Sequence, residues 1–256
     1  MSLSEENNLN PNWDLKAARI KSLKDAFYIA DFISEVEEDY LLQKISSAPL
    51  PLWKSLSHRR LQTYPSPLSL SSNTLLAAPL PAWLTTPIVT PHFDALGLFA
   101  ESPHKGPNHV LVNEYKPGQG IMPHEDGGAY YPLVATVSLG AGIVLDLYDK
   151  EIRDGGDEDD CGGGGGGRRP KFRILQERRS LLVTRDRIYR DYLHGIEERE
   201  RDEGLSADSI CNWDLLREPE RYQAGWYTRE TRISLTYRDV LKVAKLGNTM
   251  KFLNKR

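Results

Sequence analysis

From Asn108 to Val240 the chain reads as one short strand after another, punctuated by glycine and proline. His109–Tyr115 runs into the turn Lys116-Pro117-Gly118. Leu133–Leu139 and Ile143–Tyr148 flank Gly140-Ala141-Gly142 with the spacing of a hairpin. Phe172–Gln176, Ser180–Thr184 and Arg232–Val240 follow. Many short strands joined by such turns predict a mainly β chain folded as a jelly roll or barrel. A barrel of this kind can hold a metal in its open mouth.

The remaining segments decorate that barrel. Residues 1–22 are polar and are expected to be flexible. Phe27-Tyr28-Ile29 begins the ordered part, and Ser34 with Glu37 has the spacing of a capping box. The helix it opens carries Val36, Tyr40, Leu41 and Ile45 at helical spacing and should end by Ala48-Pro49. Residues 49–81 are rich in proline and serine and predict loops with short strands. Residues 82–98 predict a second N-terminal helix, opposed by Pro87 and Pro91. The barrel spans 108–245 with two insertions. The first, at about 149–170, holds Asp157-Glu158-Asp159-Asp160 and the glycine run Gly162–Gly167, and reads as a flexible surface segment. Its acidic residues lack the alternating spacing of a calcium loop. The second, at about 197–225, is charged. Residues 246–256 form a basic tail which, with Lys242 and Lys245, offers Lys251, Lys255 and Arg256 as charges that are ordinarily solvated.

A formal net charge of −3 gives no global positive field, so any contact with nucleic acid must be local. Cys161 and Cys211 make no disulfide framework and predict reduced thiols with no disulfide-linked partner. No apolar run approaches transmembrane length, and the N-terminus lacks a signal-peptide core. The expectation is a monomer of the cytoplasm and nucleus.

The chemistry concentrates in His124-Glu125-Asp126, His194-Gly195 and the strand Arg232–Arg238. Two histidines and one carboxylate occupy one face of a metal and leave the other open, which suits non-haem Fe(II) binding a co-substrate and oxygen together. An H-x-D triplet alone is weak, and a lone His194 reads more readily as a core histidine. Their conjunction in a strand-rich region reverses that weighting. Arg232, Ser234, Thr236 and Arg238 alternate with Ile233, Leu235 and Tyr237, so period two puts the polar four on one face. Two arginines on an inner face require a buried anion, and a dicarboxylate would answer Arg232 through paired hydrogen bonds. The alternative is an edge strand with both arginines solvated. Asn113 and Tyr115 share a strand face and could point at the same ligand. His58, His92, His104 and His109 have no ligand-like spacing and are expected to be structural or exposed.

These stretches together resemble the AlkB family of Fe(II)- and 2-oxoglutarate-dependent dioxygenases, within it the alkB homolog 6 branch. The resemblance is carried by Asn108–Pro132, Thr136–Gly140, Val144–Tyr148, Tyr192–Ile196 and Arg232–Arg238, with Phe32–Glu35 and Arg59–Gln62 nearer the N-terminus. It covers about residues 25 to 243 less the two insertions. It implies a double-stranded β-helix whose 23–107 region supplies N-terminal helices and a substrate lid. By position it implies His124, Asp126 and His194 as iron ligands, and Asn113, Tyr115, Arg232 and Arg238 as contacts to 2-oxoglutarate. Ser234 stands where bacterial relatives have asparagine. The implied co-substrates are 2-oxoglutarate and O2, and the implied partner is single-stranded DNA or RNA. Hydroxylation of an N-methyl group on a base would release formaldehyde, and the base must first leave its stack for a platform. Tyr130, Tyr131, Arg59 and Arg60 are the candidates for that platform, against plain rim packing and solvated surface. Competing functions are the same oxygenase chemistry on a protein or small molecule, and a non-catalytic nucleic-acid-binding module. The intact ligand set and both arginines oppose the module.

Overall fold

Alternating and near-continuous apolar segments of this chain become fifteen strands, here in a computed structural model that describes residues 13–69, 71–150 and 169–244. They are β1 (Ala26–Ile29), β2 (Lys54–Leu56), β3 (Arg59–Tyr64), β4 (Thr74–Leu76), β5 (His109–Tyr115), β6 (Ile121–His124), β7 (Leu133–Leu139) and β8 (Ile143–Asp149). β9 (Phe172–Gln176), β10 (Leu181–Arg185), β11 (Tyr192–Ile196), β12 (Arg201–Glu203), β13 (Trp226–Thr228), β14 (Arg232–Arg238) and β15 (Lys242–Ala244) complete them. Seven strands form a sheet in the order β1-β10-β7-β14-β5-β3-β2, and four form a second in the order β6-β11-β8-β9. The pairings in both are antiparallel. β5, β7, β10 and β14 lie in the large sheet, and β6, β8, β9 and β11 in the small one. The chain thus winds back and forth between the sheets, which is the expected double-stranded β-helix.

That winding corrects one expectation. β7 and β8 are not a hairpin, because Gly140–Gly142 carries the chain from the large sheet to the small one. Gly140 has φ +80°, and a Cβ there would lie 2.8 Å from the Thr231 carbonyl, so only glycine makes this crossing without strain.

Helix α1 (Glu35–Ser46) starts as its sequence dictates. The Ser34 hydroxyl accepts from the Glu37 amide, and the Glu37 carboxylate accepts from the Ser34 amide. Leu41 and Ile45 are buried, whereas Val36 and Tyr40 are 60% and 40% exposed. Glu38 takes the inward place instead, where its carboxylate accepts from the Gly140 amide and pairs with Arg178. The second predicted helix is broken. Ala82–Thr85 makes one turn, Ile88–Phe93 is interrupted at Thr90 (φ −116°, ψ 115°), and Asp94–Leu96 adds a last turn. Pro87 and Pro91 remove amide donors and push the residues before them out of the helical region.

The largest apolar core lies on the outer face of the large sheet. Val110, Val112, Val137, Val183, Leu235 and Tyr237 pack there against Phe32, Leu41, Ile45, Leu84, Ile88 and Phe93. The charged 197–225 segment is built into the fold, not merely displayed on it. Leu205, Ile210 and Tyr222 cover Val144 and Leu175 of the small sheet. Asp202 and Arg229 form an ion pair at 2.7 Å with both side chains at most 2% exposed. The acidic and glycine-rich tract with Cys161, and the chain ends before residue 13 and after residue 244, lie outside the described residues. Among the described residues no helix is long and apolar enough to cross a membrane.

Candidate metal and co-substrate site

β6 and β11 are neighbours, and their register sets His124 opposite His194. The two rings lie 4.4 Å apart between centroids, tilted by 54°. Asp126 follows just beyond the end of β6. One ligand atom from each of His124, Asp126 and His194 lies within 4.8 Å of the others, close enough to surround one ion. His124 Nδ1 donates to the Met122 carbonyl at 2.9 Å, which leaves Nε2 with its lone pair free. Burial pushes the His194 imidazole down to about 4, so it is neutral and able to ligate. Burial alone would raise the Asp126 carboxyl, but Arg238 and the histidines His194, His124 and His109 outweigh it and hold it below the ordinary range. Arg238 Nη2 donates to Asp126 Oδ1 at 2.7 Å. Gly195 lets the strands approach this closely, since a Cβ there would meet Pro123 N at 3.0 Å and the Ile121 carbonyl at 3.1 Å.

The three groups open into a cavity of about 300 Å³ between the sheets. Arg232, Ser234, Thr236 and Arg238 line it from β14, and Leu111, Asn113 and Tyr115 from β5, as period two requires. β14 is central between β7 and β5, so neither arginine sits on an edge strand. Arg232 is 2% exposed. Its Nη2 donates to Ser138 Oγ at 2.8 Å and Gln176 Oε1 at 3.1 Å, while Nε is buried without a partner. Burial pushes this guanidinium down to about 10. No carboxylate among the described residues pairs with it, and Asn113 Oδ1 is likewise buried without a partner. A buried cation with unused donors, on the same cavity as a two-histidine, one-carboxylate cluster, fits Fe(II) with a dicarboxylate co-substrate.

The structure separates the platform candidates. Arg59 lines the cavity. Arg60, the next residue on β3, faces outward, where it forms two hydrogen bonds with Glu114 (2.7 and 2.6 Å) and stacks on Trp53 at 4.0 Å. Adjacent strand residues point to opposite faces, so the two arginines cannot act together. Tyr131 packs against the main core. Tyr130 stands outside the cavity, its ring 4.9 Å from the Arg238 guanidinium. Ser138 and Gln176, which hold Arg232, carry no motif of their own. Tyr189 also lines the cavity, and its hydroxyl donates to the Gly127 carbonyl at 2.6 Å. His109 is 3% exposed, pairs in register with Arg238 and lies beside Tyr130. It shares the strand face of Asn113 and Tyr115, a signal that period two contains. Of the other histidines, His92 is buried against Glu37, His104 is held by Asp239, and His58 is exposed beside Glu198.

Residues 25–238 match the model of the 2OG-Fe(II) oxygenase superfamily. Over 223 residues the chain is 41% identical to the "Probable RNA/DNA demethylase ALKBH6" of Danio rerio, a match that covers 86% of this chain and 87% of that one. It is 29% identical over 232 residues to an uncharacterized protein of Acanthamoeba polyphaga mimivirus, covering 89% and 90%. The solved structure of OsALKBH1 aligns with a TM-score of 0.51 at 14% identity, covering 84% of this chain and 96% of that one, which shows a shared fold. The chain belongs to the 2OG-Fe(II) oxygenase superfamily and is a 2-oxoglutarate-dependent dioxygenase that uses Fe(II) and O2.

Proposed function

We propose that this dioxygenase removes N-linked methyl groups from bases of single-stranded DNA or RNA, acting in the cytoplasm and nucleus. The 41% identity to a protein named as an RNA/DNA demethylase supports the substrate class. The buried Arg232, which pairs with no carboxylate among the described residues and lies on the cavity of the histidine–aspartate cluster, carries the chemistry.

In this reading His124 Nε2, His194 and the Asp126 carboxylate hold the iron. Arg232 takes the distal carboxylate of 2-oxoglutarate, oriented by its bonds to Ser138 and Gln176. Asn113, Tyr115, Ser234 and Arg238 complete the co-substrate contacts, and Arg238 also keeps Asp126 ionised and aimed. Burial raises the Tyr115 phenol, so it stays protonated and is able to donate to the co-substrate. Bound there, Fe(II), 2-oxoglutarate and O2 supply the oxidising power: the co-substrate becomes succinate and carbon dioxide while one oxygen atom enters a substrate C–H bond. Leu111, Leu145, Leu147 and Ile196 on the walls exclude water. Arg59 brings a cation to the same cavity as a partner for the phosphate beside an extruded base.

The test is release of formaldehyde and succinate from single-stranded oligonucleotides carrying N-methylated bases, beside Asp126→Ala and Arg232→Met. Equimolar formaldehyde and succinate, lost in both variants, supports the proposal. Succinate formed with a protein or small-molecule substrate and never with an oligonucleotide replaces the substrate, a reading favoured by the net charge of −3.

A further inference from the structure

We propose that a groove adjoining the active cavity binds the nucleotide next to the target base, an inference that rests on the nucleic-acid reading above. The groove, of about 330 Å³, lies between the loop after β6 and the short helix Asp186–Asp191. Glu125 and Tyr189 line both this groove and the active cavity, so the two spaces share a wall. A strand that extrudes one base into the cavity past Glu125 and Tyr189 would lay the adjoining nucleotide in this groove.

The lining suits such an occupant. Gly127 and Gly128 lie open, because a Cβ at either would meet nothing within 4 Å, so a base or sugar can approach the backbone. The Tyr130 and Tyr189 rings supply stacking surface, and the hydroxyl bond to Gly127 fixes the second ring. Lys150 and Arg190 bring cations to the same groove. Lys150 is paired with Glu125. Among the described residues Arg190 pairs with Asp186 alone, at 3.5 Å with both side chains more than half exposed, a bond that a phosphate oxygen can replace at little cost. Rings for a base, open backbone for a sugar and cations for a phosphate are thus all present within one groove.

The test uses the full chain and a five-nucleotide single strand with one central N-methylated base, compared with the same base as a free nucleoside. Gly128→Leu places a side chain in the groove from a position where a Cβ meets nothing within 4 Å and the backbone lies outside the left-handed region. Arg190→Glu reverses one charge. Each variant is expected to raise the oligonucleotide Kd about tenfold by fluorescence anisotropy, and to lower the ratio of oligonucleotide to nucleoside kcat/KM by a similar factor. Arg190→Glu should also reduce the slope of log affinity against log salt by about one. If wild type binds the oligonucleotide and both variants match it within twofold, the groove is not a subsite and the nucleic-acid reading stands. If wild type forms succinate with other substrates but neither binds nor demethylates the oligonucleotide, both ideas fall together.

Discussion

Replacing Arg232 by methionine separates a residue kept for its ligand from one kept for the fold. The guanidinium is 2% exposed and pairs with no carboxylate among the described residues, and burial moves it from the ordinary 12.5 to about 10. The unfolded chain therefore holds that proton more tightly, and at every pH below about 10 the charge costs stability, about 3 kcal/mol. Methionine removes this cost and keeps most of the volume. It also removes the bonds to Ser138 and Gln176, worth about 1 kcal/mol each with a further penalty for acceptors left unmet. The two changes offset, so the ligand-free midpoint should move by no more than a few degrees. Co-substrate binding behaves oppositely. Losing a buried charge-assisted pair costs about 2–5 kcal/mol, or roughly 30-fold to several thousand-fold in Kd. Wild type at 100 times its Kd gains about 2.7 kcal/mol from 2-oxoglutarate, roughly 5–10 °C for a chain of this size. The variant at the same concentration should gain less than about 1 kcal/mol. Thermal unfolding with and without 2-oxoglutarate, at fixed metal, reads both numbers. A variant that loses 10 °C (about 3–5 kcal/mol) without ligand yet binds 2-oxoglutarate within threefold of wild type would refute this account of Arg232.

Gly195→Ala places a Cβ against Pro123 and Ile121 and must move β11 from β6, so metal affinity should fall at least about tenfold with the far-ultraviolet dichroism intact; unchanged affinity would mean that strand approach does not set the ligand spacing. Burial, with Arg238 beside it, holds His109 at about 4, below the ordinary 6.5. The unfolded chain then binds more protons between pH 6.5 and 4, so stability falls as the pH drops through that window, and His109→Leu should remove about 2–3 kcal/mol of the fall between pH 7 and 4.5 in urea unfolding. Equal losses in variant and wild type would sink that assignment. Asp202→Ala strands the buried Arg229 cation and should cost about 3–5 kcal/mol by the same measurement, whereas a loss below 1 kcal/mol (under a tenfold change in the unfolding constant) would show that the pair is hydrated.

The limits of β5, β7 and β9 were legible because their composition and turns mark them, and the polar face of β14 followed from period two alone. Ser34 and Glu37 announced their helix through two reciprocal bonds that depend on local spacing. Period two says which residues share a face but not which strand lies alongside, and that is why Gly140–Gly142 looked like a hairpin. The Arg232 partners show the same limit, since Ser138 and Gln176 come from β7 and β9 and meet only after the sheets are wound together. Arg59 and Arg60 could not be told apart because the register of β3 against β5 decides which of them meets Glu114. The candidate metal ligands were legible only in conjunction and with the family resemblance beside it, because neither His124-Glu125-Asp126 nor His194 stands out alone.

The placement of the main core outside the barrel explains how its interior tolerates this site. Buried arginines and unpartnered polar atoms are costly, and few folds could carry several in their only core. Here the large sheet buries its apolar residues on the far side, against α1 and the broken turns after it, so the inner face is released for function. The site itself is shared between the sheets. His124 and His194 belong to the small one, Asn113, Tyr115, Arg232 and Arg238 to the large one, and the Arg238–Asp126 bond ties the ligand cluster across the gap. An ion held by the histidines and Asp126, together with an anion held by Arg232, would therefore link two sheets that are not hydrogen-bonded to each other as neighbours. Ligand binding and closure of the barrel should thus be one equilibrium, so removal of Arg232 should leave the empty protein standing and silence its response to co-substrate.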